Sequence, residues 1–568
     1  MSLENVVDDV DAMVREHGSR AALVEWDARG RETRMDYSEF GRRMSALAAG
    51  LAGQGVGKGD RVLLLLPMGA PLYLSILAVM RLGAVCVFVD PYMGAKRFDA
   101  CCAAVQPKAF IGVPKGFLFL ALCPNLRKAR IRIATGGLPG FLALSFDKLV
   151  ARHLGAKTEL TLVESTAPAL ISFTTGSSGS PKGSNRTHGF IRAQRMALYN
   201  PERAAFTTDF PGFPVLPLEN LGWGRTTYVP AFKSGKVREA GRGAVRRQLQ
   251  AWRPELMSGS PAYLEALADE AAAAAIPYDS VRHLFTGGAP ITIRAMDKLT
   301  RAWPNAAITI VYGSTEVEPV SHIAAQEALG ECRALSARGY GFCVGRPVPS
   351  LQVIILPLGN QDSQARDLAA RALPQGSVGE IVARGPHVNT GYWNNAAGEA
   401  ANKIKTSEGI WHRMGDAGYF DAQGRLWVVG RVHAAMANPR AAGAAAGEGR
   451  QAQASQSPQP SAWPFLFPYQ AECIADEFPG VRKSAYLAIN DSHWLVVELL
   501  PGPRDAGLET ALARALEAFP LDGIRVSPAL PMDPRHNSKV EYDRLRTWLA
   551  KQPGVAAKSR ARSAERQA

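Results

Sequence analysis

The sequence predicts an α/β protein: a large N-terminal domain of βαβ-type sheets with a small β-rich subdomain, then a small separate α+β C-terminal domain. Three observations predict it. The chain has 568 residues, more than one core usually supports, since single cores rarely grow past roughly 250–300 residues. From Ala21 onward, short apolar runs alternate with runs of helical period, the pattern of βαβ units around a buried, largely parallel sheet. The texture then changes to short β segments punctuated by Gly, Pro and Asn between 340 and 430, and later returns to α/β.

In order, strands are expected at Ala22 to Trp26, Arg61 to Leu66 and Ala84 to Val89, with helices at Tyr37 to Gln54 and Pro71 to Leu82. Arg81 and Gly83 interrupt the apolar stretch Leu72 to Val89, which reads as a core helix and the next strand rather than a membrane span. Two shorter apolar patches, Gly116 to Cys123 and Gly140 to Phe146, suit core packing or a greasy lip facing lipid-like molecules. Ala167 to Phe173 reads as a buried strand and Arg186 to Leu198 as a helix. The alternation resumes with Glu255 to Met257 before a helix from Pro261, His283 to Thr286 before a helix from Ile291, and the strand Ala307 to Val311.

The β-rich part carries Gln352 to Ile355, Gly379 to Val382, Trp411 to Met414 and Arg425 to Val429. Ala434 to Pro464 is rich in Ala, Gly, Gln, Ser and Pro and too poor in large apolar residues to offset its ordering entropy, so it reads as a mobile insertion. Glu472 to Trp548 returns to α/β texture, with strands at Ser484 to Ala488 and Trp494 to Leu499 and a helix at Leu508 to Ala518. The expected division is 1–431, a hinge and insertion at 432–464, a small domain at 465–557 and a basic tail at 558–568.

The formal net charge is +14, but much of it is scattered. Its one compact cluster is Lys558 to Ala568, a solvated tail rather than a nucleic-acid surface. Seven cysteines (Cys86, Cys101, Cys102, Cys123, Cys332, Cys343, Cys473) show no C-x-x-C pair and no zinc spacing, which points to a reducing cytoplasm and no structural metal. The acidic start, Met1 to Asp9, is unlike a signal peptide.

Five stretches carry chemistry. Ser172-Phe-Thr-Thr-Gly-Ser-Ser-Gly-Ser-Pro-Lys-Gly-Ser184, read between strand and helix, is a phosphate cradle: its glycines free backbone N–H groups to close on an anion, a helix N-terminus adds a favourable dipole, and Lys182 adds charge. Pro181 and Gly183 around the lysine exclude the P-loop pattern, and alone the stretch reads equally as a linker. Thr286-Gly-Gly-Ala-Pro290 offers either a tight turn or a flat edge for a planar ring. Val311-Tyr-Gly-Ser-Thr-Glu-Val-Glu-Pro-Val320 puts an aromatic, hydroxyls and carboxylates at the edge where open α/β sheets bind ligands, or forms an ordinary turn. Asp416 suits a diol and Arg431 a sugar or phosphate, although each alone more often is a solvated charge. Lys539, in Pro531 to Tyr542, would face solvent like most lysines.

In this order and spacing, the stretches resemble the adenylate-forming superfamily of acyl- and aryl-CoA synthetases, luciferases and peptide-synthetase adenylation domains, over nearly the whole chain. The resemblance implies ATP and Mg²⁺. By it, Thr174, Thr175, Gly176, Ser177, Ser178, Gly179 and Lys182 wrap the β- and γ-phosphates, and Gly287, Gly288, Ala289 and Tyr312 hold adenine. Thr315 and Glu316 lie near the α-phosphate, with Glu316 on Mg²⁺, and Gly313 and Ser314 between them also bind the nucleotide. Asp416 holds the ribose hydroxyls, Arg431 the ribose region, and Lys539 reaches in from the mobile domain, so that Lys539, Glu316, Thr174 and Lys182 serve catalysis. Attack of a carboxylate on the α-phosphate builds negative charge there, which preorganised cations stabilise.

Arg535-His-Asn-Ser-Lys539, Tyr312 to Ser321 and Gly341-Phe-Cys-Val-Gly-Arg-Pro-Val-Pro349 look like the β-lactone synthetases of bacterial long-chain olefin biosynthesis. Ser538 stands where most CoA ligases have Gly, and Val432-His-Ala-Ala435 replaces their Lys-Asp hinge. Asn220, in Leu216 to Asn220, stands where many ligases have His. The resemblance implies a fatty or β-hydroxy acid substrate, closure of its adenylate to a β-lactone, and partner enzymes of a lipid pathway; Glu318 and His322 are candidate bases by position. A fatty-acyl-CoA or acyl-AMP ligase is the enzyme alternative, and a nucleotide-binding protein without catalysis the other. No transmembrane segment is expected, while contact with a membrane surface stays open.

Overall fold

A computed structural model describes residues 3–27, 29–138, 140–174, 181–198, 204–231, 243–359, 367–438, 463–489, 492–503, 505–533 and 539–555. One sheet has seven strands, in the spatial order Lys182–Thr187, Pro168–Thr174, Val85–Phe88, Arg61–Leu65, Ala109–Gly112, Ile131–Ala134 and Leu144–Ser145. All neighbours run parallel except the first pair. Helices cover these apolar strands, as parallel sheets require. Helix Tyr37–Gly53 starts where the Asp36 side chain accepts from Glu39 N at 2.7 Å, a cap that satisfies an orphan donor. It buries Phe40, Met44, Leu47 and Leu51 on one stripe and stops before Gly55, at φ +91°. Helix Ala70–Arg81 is buried at ten positions, and strand Val85–Phe88 follows, so Leu72 to Val89 is core. Among the described residues no helix is long and apolar enough to cross a membrane.

The second sheet has fourteen strands. Its middle is parallel: Ala307–Ser314, His283–Gly287, Leu256–Gly259, Thr208–Pro211, Thr226–Tyr228 and Ala21–Trp26. The C-terminal ends of the first four line one edge. Antiparallel strands extend it: Val317–Ala324 pairs with Ala307–Ser314, Phe342–Pro347 comes next, then Leu426–Arg431, Gly409–Phe420, Gly379–Arg384 and Gln352–Leu356. The β-rich segments are thus hydrogen-bonded continuations of the large sheet.

Strand Val481–Ile489 pairs antiparallel with Ser492–Leu499, which runs parallel to Gly523–Ser527. Helices Pro468–Ala475, Leu508–Ala515 and Tyr542–Leu549 accompany this smaller C-terminal domain. It docks through the Arg294 guanidinium, which donates to the carbonyls of Val481, Phe478 (2.6 Å) and Asp476 (3.3 Å). Arg333 adds a bond to Glu477 at 3.1 Å.

Most of the low-complexity insertion, 439–462, and all of the basic tail lie outside the described residues. At the neck of the insertion, Met436–Ala437 pairs with Phe465–Leu466, and Asn438 Nδ2 donates to Trp463 O at 2.8 Å. Trp463 is buried, its ring 5.2 Å from that of Tyr419. Composition hid this anchor because one tryptophan barely changes the average of a polar segment.

The expected helix from Arg186 begins instead at His188, because Lys182–Thr187 is a strand antiparallel to Pro168–Thr174 with Thr174 opposite Lys182. About 20 Å of strand separates Lys182 from the helix start, so the dipole of that helix does not act at Lys182.

Candidate functional site

Strands Ala307–Ser314 and Val317–Ala324 pair Ser314 with Val317, leaving Thr315 and Glu316 as the turn between them. Both sides of this turn are held. Arg186 Nη2 donates to Thr315 O at 2.9 Å, and Asn389 N donates to Glu316 O at 2.7 Å. The Tyr392 hydroxyl donates to Glu316 Oε1 at 2.9 Å. Behind the carboxylate, the buried Lys403 Nζ lies 3.2 Å from His412 Nδ1 and donates to Asn389 O. Burial opposes ionisation of Glu316, but His412, the Tyr392 hydroxyl and Lys403 outweigh it and hold the carboxyl below its ordinary range. Burial pushes Lys403 down to about 7 and His412 to about 3.

Asp416 sits opposite Arg431 across two antiparallel strands. Arg431 Nη1 donates to Asp416 Oδ1 at 2.9 Å, and the Tyr312 hydroxyl donates to Oδ2 at 2.8 Å. Both carboxylate oxygens are fixed while lone pairs remain. The Asp416 charge keeps Arg431 firmly protonated, and burial beside that charge pushes the Tyr312 phenol far up. Gly287 pairs with Val311, next to Tyr312. A Cβ on Gly287 would come 2.4 Å from Val311 O, whereas above Gly288, at φ +81°, nothing lies within 4 Å. The edge beside Tyr312 is therefore flat and open.

Lys539 projects from the C-terminal domain. Its N–H donates to Asp533 Oδ1 at 2.8 Å, and Asp533 N donates to Lys539 O at 2.9 Å. The side chain is solvent-exposed, yet its charge is felt by the site. Surrounding protein and then Arg431 push the ammonium below its ordinary range, while Asp416, Asp533 and Glu316 pull it back. Glu318, half-buried two residues past Glu316, has its carboxyl pushed up by burial, with Arg186 and Lys539 opposing. Across this region a flat edge, a fixed carboxylate, the anionic Glu316 and the basic side chains of Arg186, Lys403, Arg431 and Lys539 come together, which suits a nucleotide.

The sequence profile of AMP-binding enzymes matches residues 10–393. The chain belongs to the AMP-binding enzyme family. It is similar to an olefin beta-lactone synthetase of Stenotrophomonas maltophilia (strain K279a), 30% identical over 533 residues, 91% of each chain. It is similar also to an olefin beta-lactone synthetase of Xanthomonas campestris pv. campestris, 29% identical over 577 residues, 97% of this chain and 98% of the relative. In fold it matches ATP-bound MatB from Rhodopseudomonas palustris with a TM-score of 0.72, at 17% identity over 96% of this chain and 99% of the other. As an AMP-binding enzyme of this kind it is an AMP-forming, β-lactone-synthetase-like ligase.

Of the residues expected at the site of this AMP-binding enzyme, Tyr312, Asp416 and Arg431 meet directly, and Gly287, Gly288, Glu316 and Lys539 lie around them. Thr175, Gly176, Ser177, Ser178 and Gly179 lie outside the described residues; Thr174 ends a strand opposite Lys182. Lys182 Nζ stands 5.9 Å from the centre of the Tyr392 ring. His322 is exposed on the strand and pairs across it with Val311 and Arg346, four residues and about 13 Å from Glu318. Asn220 is buried, its amide donating to Asp209 Oδ2 at 2.8 Å and Thr227 Oγ1 at 3.1 Å.

Sequence reasoning missed Asn389, Tyr392 and Lys403. Asn389 Nδ2 donates to Ser184 Oγ at 2.7 Å, and Trp393 N donates to Gly183 O at 2.8 Å, so segment 389–395 braces both the Lys182 strand and Glu316. The only signal was the density of Asn, Gly and aromatic residues in Asn389-Thr-Gly-Tyr-Trp-Asn-Asn395.

Proposed function

We propose that the chain activates a long-chain β-hydroxy acid with ATP and closes the resulting acyl adenylate to a β-lactone. The reading is supported by the similarity to two olefin beta-lactone synthetases over 91% and 97% of the chain. One geometric observation carries it: Glu318, an acid–base group, is half-buried on the strand that leaves the turn carrying Glu316, two residues beyond it.

In the first step a carboxylate oxygen of the acid forms a bond to the α-phosphorus, and the bond to pyrophosphate breaks. Asp416 and Arg431 orient the ribose, Gly287 to Ala289 and Tyr312 receive the adenine, and the loop from Thr174 to Lys182 closes on the departing phosphates. Lys539 places its ammonium against the negative charge that grows between acyl oxygen and phosphate. The donor set fits Mg²⁺: among the described residues no cluster of three or more His, Cys, Asp or Glu exists to enclose a metal, and Mg²⁺ is commonly held by one or two carboxylates with phosphate oxygens and water. Glu316, kept ionised, would hold it, and the ion would supply neutralisation of phosphate charge.

In the second step Glu318 takes the proton of the β-hydroxyl. The hydroxyl oxygen forms a bond to the acyl carbon, the acyl–phosphate C–O bond breaks, and AMP leaves with the electron pair. Holding the two ends of the substrate in a near-attack geometry replaces an external nucleophile. We place this in the cytoplasm, where reduced thiols suit the seven free, buried cysteines; other enzymes of a lipid pathway would supply the acid and consume the lactone.

The test is incubation with ATP, Mg²⁺ and a long-chain β-hydroxy acid, with and without CoA, followed by mass analysis. A lactone formed without CoA is the expected product. A thioester that requires CoA would replace this reading with that of a fatty-acyl-CoA ligase.

A further inference from the structure

The apolar patches at 116–123 and 140–146 divide their side chains between the core and the surface. Phe117, Cys123, Ala143 and Phe146 are buried. Leu118 is 69% exposed, Leu122 63% and Phe141 86%, with Leu142 and Leu144 at 37% and 38%. These side chains do not scatter. Strands Ala109–Gly112 and Ile131–Ala134 are parallel neighbours, so the turns that follow them, at 113–123 and 135–143, leave the same edge of the sheet. Gly136 lies against Pro114, and Leu138 and Ala143 share one core cluster with Phe117, Phe119 and Leu120. The buried sides of the two turns interlock, and their exposed sides present one apolar patch.

The charge nearest this patch is mostly positive. Lys115 lies three residues before Leu118, and Arg127 and Lys128 follow Leu122, while Asp147 is the one exposed carboxylate just past Phe146; Lys108 and Arg130 stand at the opposite ends of their strands. Helix Ala95–Val105 brings Lys96 and Arg97 alongside, because Phe98 stacks on Phe119 with ring centres 4.4 Å apart. The one nearby carboxylate of that helix, Asp99, is occupied by Asn125 N and Nδ2, each at 2.8 Å. Lys96, Arg97, Lys115, Arg127 and Lys128 are exposed, and among the described residues none of them pairs with a carboxylate.

Exposed leucines and a phenylalanine among basic side chains without a carboxylate partner are the composition of a surface that enters the interfacial region of a bilayer while cations meet anionic headgroups. A second copy of the chain fits poorly, because a two-fold contact would bring the same positive rim against itself. We propose that this edge of the seven-stranded sheet docks on an anionic bilayer. Strand Pro168–Thr174 runs parallel to Val85–Phe88 in the same sheet, so Thr174 ends at the edge that faces the lipid, a placement suited to an acid that partitions into the bilayer. The docking surface itself does not depend on which reaction follows.

The experiment is co-sedimentation of the full-length protein with vesicles of phosphatidylcholine alone or with about one third phosphatidylglycerol, without substrate, for the wild type and for Leu118→Asp combined with Phe141→Asp. Both positions are exposed, so the fold is checked by an unchanged thermal transition and unchanged pyrophosphate release with a short, water-soluble acid. The wild type is expected to bind the anionic vesicles at least about tenfold more strongly than the neutral ones, to be released by salt, and to lose about tenfold in the double variant. The basic tail is intact in both proteins and cannot produce that difference. Absence of binding to anionic vesicles overturns the proposal, as does equal binding by the double variant, which would locate the contact elsewhere. A wild-type dimer that the double variant converts to monomer would assign the patch to self-association instead, and binding only to an acidic protein would assign it to that partner. Because no turnover on long-chain acid is measured, failure here and failure of the lactone reading are distinguishable.

Discussion

The Tyr392 hydroxyl donates to Glu316 Oε1 at 2.9 Å, joining residues 76 positions apart, one on the loop after Gly379–Arg384 and one in the turn after Ala307–Ser314. With Lys403 behind it, this bond keeps a half-buried carboxyl ionised and aimed. Tyr392→Phe removes one charge-assisted hydrogen bond and keeps the ring that faces Lys182. Such bonds are worth about 1.5–3 kcal/mol, so pyrophosphate release is expected to fall about tenfold to a hundredfold. ATP affinity, read by equilibrium binding without Mg²⁺, stays within about twofold. A full loss of binding instead would mean that the phenol shapes the pocket and not the carboxylate.

Lys539→Ala is expected to cut adenylate formation by at least about a hundredfold, the scale of losing one preorganised charge at a reacting centre, while ATP still binds. Pyrophosphate release and nucleotide titration separate the two effects. Asp533→Ala leaves the ammonium in place but frees the backbone that presents it, and should give a smaller loss in the same assay.

Glu318→Gln separates the two chemical steps. Pyrophosphate release should persist near the wild-type rate while lactone formation falls by about 10²–10⁴-fold, the usual contribution of a general base, and acyl adenylate accumulates. His322→Ala, on the exposed part of the same strand, should leave both steps unchanged. Normal lactone yield from Glu318→Gln would remove Glu318 from the mechanism.

Glu472 is buried in the C-terminal domain, and its Oε1 accepts from Tyr542 OH at 2.5 Å and from Tyr486 N at 2.9 Å. Burial pushes its carboxyl up to about 8, with the two donors opposing. A carboxyl raised in the folded state holds a proton that the unfolded chain has released, so its contribution is fully present below the ordinary carboxyl range. That contribution is lost as pH rises from there through about 8. Glu472→Gln keeps the Oε1 acceptor and removes the titration. Thermal unfolding at pH 6 and pH 9 should show a smaller alkaline loss for the variant than for the wild type; equal losses would clear Glu472 of the effect.

The parallel strands and their helices were legible because each is written locally: Arg61–Leu65 is a continuous apolar run, and Tyr37–Gly53 repeats its apolar residues at helical spacing. Tyr312, Glu316, Asp416, Arg431 and Lys539 were legible as motifs. Their glycines and unusual charge placements suit ligand chemistry better than folding. The strand Lys182–Thr187 was misread as part of a loop and helix because its sequence, Lys-Gly-Ser-Asn-Arg-Thr, has neither apolar alternation nor β-branched residues beyond the final threonine. Its pairing with Pro168–Thr174 and its bonds to segment 389–395 come from distant chain, and no local pattern encodes them.

By itself, the sequence determined the α/β class, the family motifs and the charge of each site residue, since short-range periodicity and side-chain chemistry suffice for these. Only the tertiary structure decided that Tyr392 and Lys403 support Glu316, that Glu318 lies in the field of Arg186 and Lys539, and that half of two apolar patches faces outward. Each of these depends on which side of a strand or turn meets another element, and that is set by long-range packing.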